Sequence, residues 1–125
     1  MKTVTTFEQG QELRRLGVNL STADWTWKEF YDEEHIVTDH RLEHIPFNLS
    51  KRGREHRNDV PGWSTDALLN LCSNEYHVQL CSDENGWHCN VGANSISTYT
   101  RETPNQAVYD AVKLLIANGI ELNGK

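Results

Sequence analysis

The clearest hydrophobic period in the chain lies near its C-terminal end. Ala107, Val108, Ala111, Val112, Leu115 and Ile116 recur at helical spacing and make one apolar face. Thr103 stands where an N-cap belongs, Pro104 suits the first turn, and Gln106 completes a capping box. Asn118-Gly119 marks the stop. Upstream the period changes to two. Tyr76, Val78 and Leu80 alternate with His77, Gln79 and Cys81, and Trp87, Cys89 and Val91 alternate with His88 and Asn90. Asn85-Gly86 between the two runs predicts a hairpin. A two-residue turn centred on that dipeptide pairs Leu80 with Val91 and Ser82 with Cys89. A loop over 83–86 pairs Leu80 with Cys89 instead. Both registers bury the same residues. A third strand is expected over about 95–101, after a turn at Gly92-Ala93-Asn94.

The N-terminal half is less regular. Thr6 and Gln9 form a second capping box, so a helix is expected from Phe7 to Leu16, ended by Gly17. Gly10 inside it costs about 1 kcal/mol relative to Ala, so packing must hold this helix. Residues 25–31 alternate at the period of a strand, 32–34 read as a turn, and His35 to Thr38 as the returning strand. Residues 40–62 show no sustained period, apart from a possible short strand near Ile45 to Leu49. Ser64 caps a short helix, Thr65 to Cys72, with Asp66 in its first turn and Trp63 and Leu68 at the spacing of a hydrophobic staple. The order is therefore α-β-β-α-β-β-β-α. It predicts a single α+β domain over residues 1–125, a small antiparallel sheet with helices packed on it. Trp87, Val78, Leu80, Val91, Val108, Val112, Leu115 and Ile116 should share its core.

Composition narrows the function classes. The 125 residues are enough for one unaided core, and four Trp, four Tyr and three Phe supply bulk to a modest 37% hydrophobic content. The net charge is −6; Lys51, Arg52, Arg54 and Arg57 against Glu55 leave their segment at +3 and the remainder at −9. One short basic stretch on an acidic chain disfavours general nucleic-acid binding. Three cysteines, Cys72, Cys81 and Cys89, suggest free thiols in a reducing compartment. The first residues lack the apolar run of a signal peptide, and no stretch approaches the roughly 20 apolar residues of a membrane span. The expectation is a cytoplasmic protein without membrane contact.

Candidate chemistry is sparse. His35, His40 and His44 near Asp39 and Glu43 offer ligand types for a metal, but close spacing does not make ligands converge, and a solvated polar loop is the plainer reading. No metal or cofactor is expected. Cys81 and His88 can share a face of the hairpin while Cys89 faces the other way into the core. A catalytic thiol would still need a cleft and an orienting group. Serine elbows, phosphate loops and paired CxxC motifs are absent from the sequence. Trp25 and Trp27, with at least one expected to face outward, and the basic run Lys51, Arg52, Arg54 and Arg57 are the candidate partner-binding residues, because Trp and Arg dominate protein interfaces.

Three segments carry a family resemblance: Phe7-Glu8-Gln9…Leu13…Leu16-Gly17…Ser21-Thr22-Ala23-Asp24-Trp25, then Val60-Pro61-Gly62-Trp63-Ser64-Thr65-Asp66-Ala67-Leu68-Leu69, then Glu102-Thr103-Pro104…Ala107…Leu114-Leu115…Asn118-Gly119. In order and spacing the chain resembles small proteins of phages and integrated mobile elements in gut anaerobic bacteria. Its C-terminal α-β-β-β-α portion resembles the αβα sandwich domain of phage proteins. The resemblance implies origin and fold and brings no catalytic residue with it. The leading expectation is a non-enzymatic accessory protein that binds another protein. The alternatives are a metal-dependent or thiol enzyme using the His and Cys residues, and a double-stranded-RNA-binding-like module. The last shares the α-β-β-β-α order, but Glu102, Asn105 and Asp110 occupy the start of the final helix, where that function needs cations.

Overall fold

The capping boxes close as their spacing predicts. In the computed structural model, which describes residues 3–31, 33–34, 37–49, 59–72, 78–91 and 96–119, helix α1 spans Phe7–Arg15. The Thr6 hydroxyl accepts from the Gln9 amide at 3.1 Å, and the Gln9 side chain accepts from the Thr6 amide at 2.9 Å. Helix α2 spans Thr65–Cys72. Its cap, Ser64, accepts from the Ala67 amide at 3.1 Å and donates its own hydroxyl to Asp24 at 2.5 Å. Helix α3 spans Pro104–Ala117 with the Thr103–Gln106 box intact.

The strands form two three-stranded antiparallel sheets. The first has the order β2-β1-β3, from β1 (Trp25–Tyr31), β2 (Val37–Glu43) and β3 (Val60–Gly62). Strand β2 reaches five residues beyond the expected Thr38. Its inner positions there are His40 and Leu42, and a histidine does not register as apolar, so the alternation is invisible without its partner strand. Strand β3 adds an element to the expected order. It is three residues long and contains Pro61, which suits a sheet margin because proline cannot donate to a ladder. The short strand expected near Ile45 is instead a 3₁₀ turn, Phe47–Leu49. Pro46 fixes the backbone entering it, Phe47 is fully buried, and the Phe47 amide donates to Ala23 at 3.1 Å.

The second sheet has the order β4-β5-β6, from β4 (Val78–Asp83), β5 (Gly86–Val91) and β6 (Ile96–Ser97). Leu80 faces Cys89, the second of the two registers open to the sequence. The closing pair is Asp83 with Gly86, so Glu84-Asn85 form the turn, braced by the Asp83 carboxylate accepting from the Asn85 amide at 2.8 Å. Gly86 sits at φ 136°, and a Cβ there would lie 2.3 Å from the Arg101 carbonyl oxygen. That contact belongs to a two-residue bridge between Trp87 and Arg101, which prolongs the sheet past β6.

One core joins the three helices to the second sheet. It runs from Leu13 and Phe47 through Trp63 and Leu68 to Cys89 and Val112. Of the expected core set, Val91, Val108, Val112 and Leu115 are buried in it, and Val78, Leu80, Trp87 and Ile116 pack against it half-buried. Leu115→Ala should cost about 2–5 kcal/mol, read as a lowered urea midpoint; an unchanged midpoint would contradict this placement. Asn105, only 1% exposed, ties the parts together. Its amide donates to the Thr3 carbonyl, the Trp63 carbonyl and the Thr65 hydroxyl at 3.2–3.3 Å. It is therefore a structural hub.

Candidate functional site

Helix α1 lies across one face of the first sheet and leaves an open groove of about 620 Å³ beside it. The helix contributes Phe7, Gln11, Arg14 and Arg15; the sheet contributes Glu29, His40 and Val60. Residues alternate across a strand, so Trp25, Trp27 and Glu29 share this face of β1, with His40 directly opposite Glu29 on β2. The Phe7 ring sits 4.3 Å from the His40 ring and 6.4 Å, edge-on, from Trp27. The helix can come this close because its Gly10 backbone rests on Pro61.

The polar groups of the groove differ in their constraint. Glu29 is 2% exposed, and its backbone amide donates to the buried Asp59 carboxylate at 3.1 Å. Arg14 donates to the Asp59 carbonyl at 3.2 Å and lies over the Phe47 ring. Arg15 forks onto Glu12 at the rim, and that hydrogen-bonded pairing holds the Glu12 carboxyl below its ordinary range. The His40 Nε2 is buried without a hydrogen-bond partner among the described residues. The groove thus joins an apolar floor to a mixed, cation-bearing rim. Such a surface can hold a side chain of a partner by shape and by hydrogen bonds.

The structure distributes the sequence candidates unevenly. Trp25 and Trp27 do not split between two faces: being two residues apart on a strand, they share one, and both are half-buried. Trp27 donates its indole N–H to the Thr5 carbonyl at 3.1 Å, and Trp25 stacks on His44 at 4.3 Å. Lys51, Arg52, Arg54 and Arg57 lie outside the described residues, as does His35. His40 and His44 pack against different rings, His40 tilted against Phe7 and His44 stacked on Trp25. No group of three or more His, Cys, Asp or Glu side chains converges to hold a metal among the described residues. The groove residues were not singled out by sequence, apart from His40. They come from four separate elements, α1, β1, β2 and β3, and share no motif.

The cysteines are unpaired. Cys81 lies opposite His88 on the solvent-facing side of the second sheet, where Asp83 approaches the His88 ring at 3.9 Å. Burial pushes the Cys72 and Cys89 thiols up to about 12. In the unfolded chain they ionise near pH 8.5. Above that pH the unfolded state holds fewer protons than the folded one. Stability should therefore fall as pH climbs from about 8.5 towards 12, by up to roughly 1.4 kcal/mol per pH unit for each thiol. Cys72→Ala should flatten this alkaline slope in urea titrations; an equal slope in both proteins would refute the assignment.

No helix among the described residues is long and apolar enough to cross a membrane. Comparison with protein-family models, with curated proteins and with solved structures gave no match. The fold and groove define a class only: a small α+β protein whose first helix and first sheet frame an open, mixed-polarity cleft.

Proposed function

We propose that this chain is a non-enzymatic accessory protein of a phage or integrated element, acting in the cytoplasm by binding another protein. The origin rests on the sequence resemblance. The binding mode rests on one observation: the groove beside α1 sets Phe7 and Val60 next to Arg14 and Arg15. Aromatic and arginine side chains around a concave apolar floor are what energetic centres of protein interfaces use. This reading places the contact next to Trp27, on Phe7, rather than on the tryptophans themselves. A thiol enzyme is the second reading: burial keeps Cys72 and Cys89 protonated, which leaves Cys81, opposite His88, as its candidate nucleophile.

Gln11 is exposed on the groove wall, so Gln11→Trp fills the groove without disturbing the core. Proteins cross-linked to the wild-type chain in its native host, and lost with Gln11→Trp, are the expected result. An identical set with both proteins would overturn the groove as the binding site. A gel-shift titration is the second arm. Salt-sensitive binding to duplex DNA or RNA, weakened by reversing Arg52 and Arg54, would overturn the choice of protein over nucleic acid.

A further inference from the structure

We propose that the free edge of β2 pairs antiparallel with the same strand of a second copy, centred on His40, giving a symmetric dimer with one continuous six-stranded sheet. Strand β2 is the margin of its sheet, and no strand covers its outer side among the described residues. The backbone there is oriented for pairing. The Glu29 amide points to the β3 side, where Asp59 accepts it at 3.1 Å. Glu29 and His40 are therefore a non-hydrogen-bonded pair, and the His40 backbone groups face outward. The His40 amide donates to the neighbouring Asp39 carboxylate at 2.8 Å rather than to β1.

Charge selects the occupant. Edge strands of one charge sign repel a second copy. Here Asp39 and Arg41 flank His40 with opposite signs, their side chains 55% and 62% exposed; within one copy they contact each other at 3.4 Å, and pairing exchanges that contact for two between copies. Pairing about His40 sets Asp39 of each copy opposite Arg41 of the other, twice by symmetry. These flanking positions face each other as non-hydrogen-bonded pairs, where side chains come closest. The Phe30 ring already holds the Arg41 guanidinium in place, 4.3 Å from its centroid. Other registers fail. Centring on Asp39 or Arg41 puts like charges face to face. Centring on Leu42 overlaps only residues 41–43 of the strand and needs Glu43, which Lys28 holds at 3.4 Å. His40 is the midpoint of Val37–Glu43, so its register overlaps the two strands most, with the regular ladder running from Asp39 to Glu43 and shifting at Thr38.

The test is the solution mass by sedimentation equilibrium, from micromolar to near-millimolar chain. The wild type is expected to reach twice the 14.4 kDa of one chain. Asp39→Arg sets arginines opposite each other and should weaken the dimer roughly tenfold or more. Asp39→Arg combined with Arg41→Asp restores the complementarity and should restore the dimer. Both positions are exposed, so circular dichroism should show all three proteins equally folded. A wild type that stays monomeric throughout, or a dimer indifferent to Asp39→Arg, would overturn the proposal. A double variant no better than the single one would overturn the His40-centred register.

Discussion

Trp63→Ala is expected to be the most damaging single truncation in the protein, at about 3–5 kcal/mol. Trp63 is the largest fully buried side chain, at 0% exposure. It lies between β3 and α2 in the chain and shares the core cluster with residues of α1, α2, α3 and β5. Its indole N–H donates to the Thr22 hydroxyl at 2.9 Å. Its backbone amide donates to the Thr5 hydroxyl at 3.0 Å, and its carbonyl accepts from the Thr5 amide at 2.9 Å and from Asn105 at 3.3 Å. Truncation removes the ring, leaves a cavity in the core and strips Thr22 of a partner. Against a typical domain stability of about 5–15 kcal/mol, that loss approaches unfolding. Trp63→Phe separates the terms. It keeps most of the volume and loses the indole hydrogen bond, so it should cost about 1–2 kcal/mol. Urea midpoints followed by far-ultraviolet circular dichroism test both. A Trp63→Ala midpoint close to wild type would show that the core does not depend on this residue.

Gly10→Ala should destabilise the fold although it improves the helix. In an exposed helix the change gains up to about 1 kcal/mol. Here a Cβ would lie 2.1 Å from the Pro61 carbonyl oxygen and 3.0 Å from a Val60 methyl. The first distance is far inside contact, and the obstacle is backbone, which cannot rotate away. Relief requires α1 to lift from β3, opening the Phe7–Trp27 and Phe7–His40 ring contacts. Overpacking of this kind costs typically 1–3 kcal/mol, more than the propensity gain, so a net loss follows. Gln11→Ala, one residue along and exposed, should be nearly neutral and serves as the control. A Gly10→Ala protein as stable as wild type would mean that α1 and β3 do not touch. The same substitution should also alter the groove, because α1 forms one of its walls.

What the sequence determined by itself is local. The three helices begin where Thr6, Ser64 and Thr103 cap them, because an N-cap satisfies amides within three residues of itself. The β4–β5 hairpin is legible from its alternation and its turn residues, and so is the burial of Cys89. The α+β class follows from these elements. The tertiary structure decided everything that depends on a distant partner. It chose the hairpin register, Leu80 opposite Cys89, which the alternation alone left open because both registers bury the same residues. It extended β2 through His40 to Glu43, because β1 supplies the ladder for a segment with no apolar period of its own. It made a strand of Val60-Pro61-Gly62, three residues too few to show any period. It divided the strands between two sheets rather than one. It also assembled the groove from Phe7, Glu29, His40 and Val60, which lie far apart in the chain and acquire a common surface only when α1 settles on the sheet. Caps and alternation are written in neighbouring residues, where backbone geometry alone enforces them. Register, strand length and clefts depend on which surfaces meet, and that choice is made by packing across the whole chain.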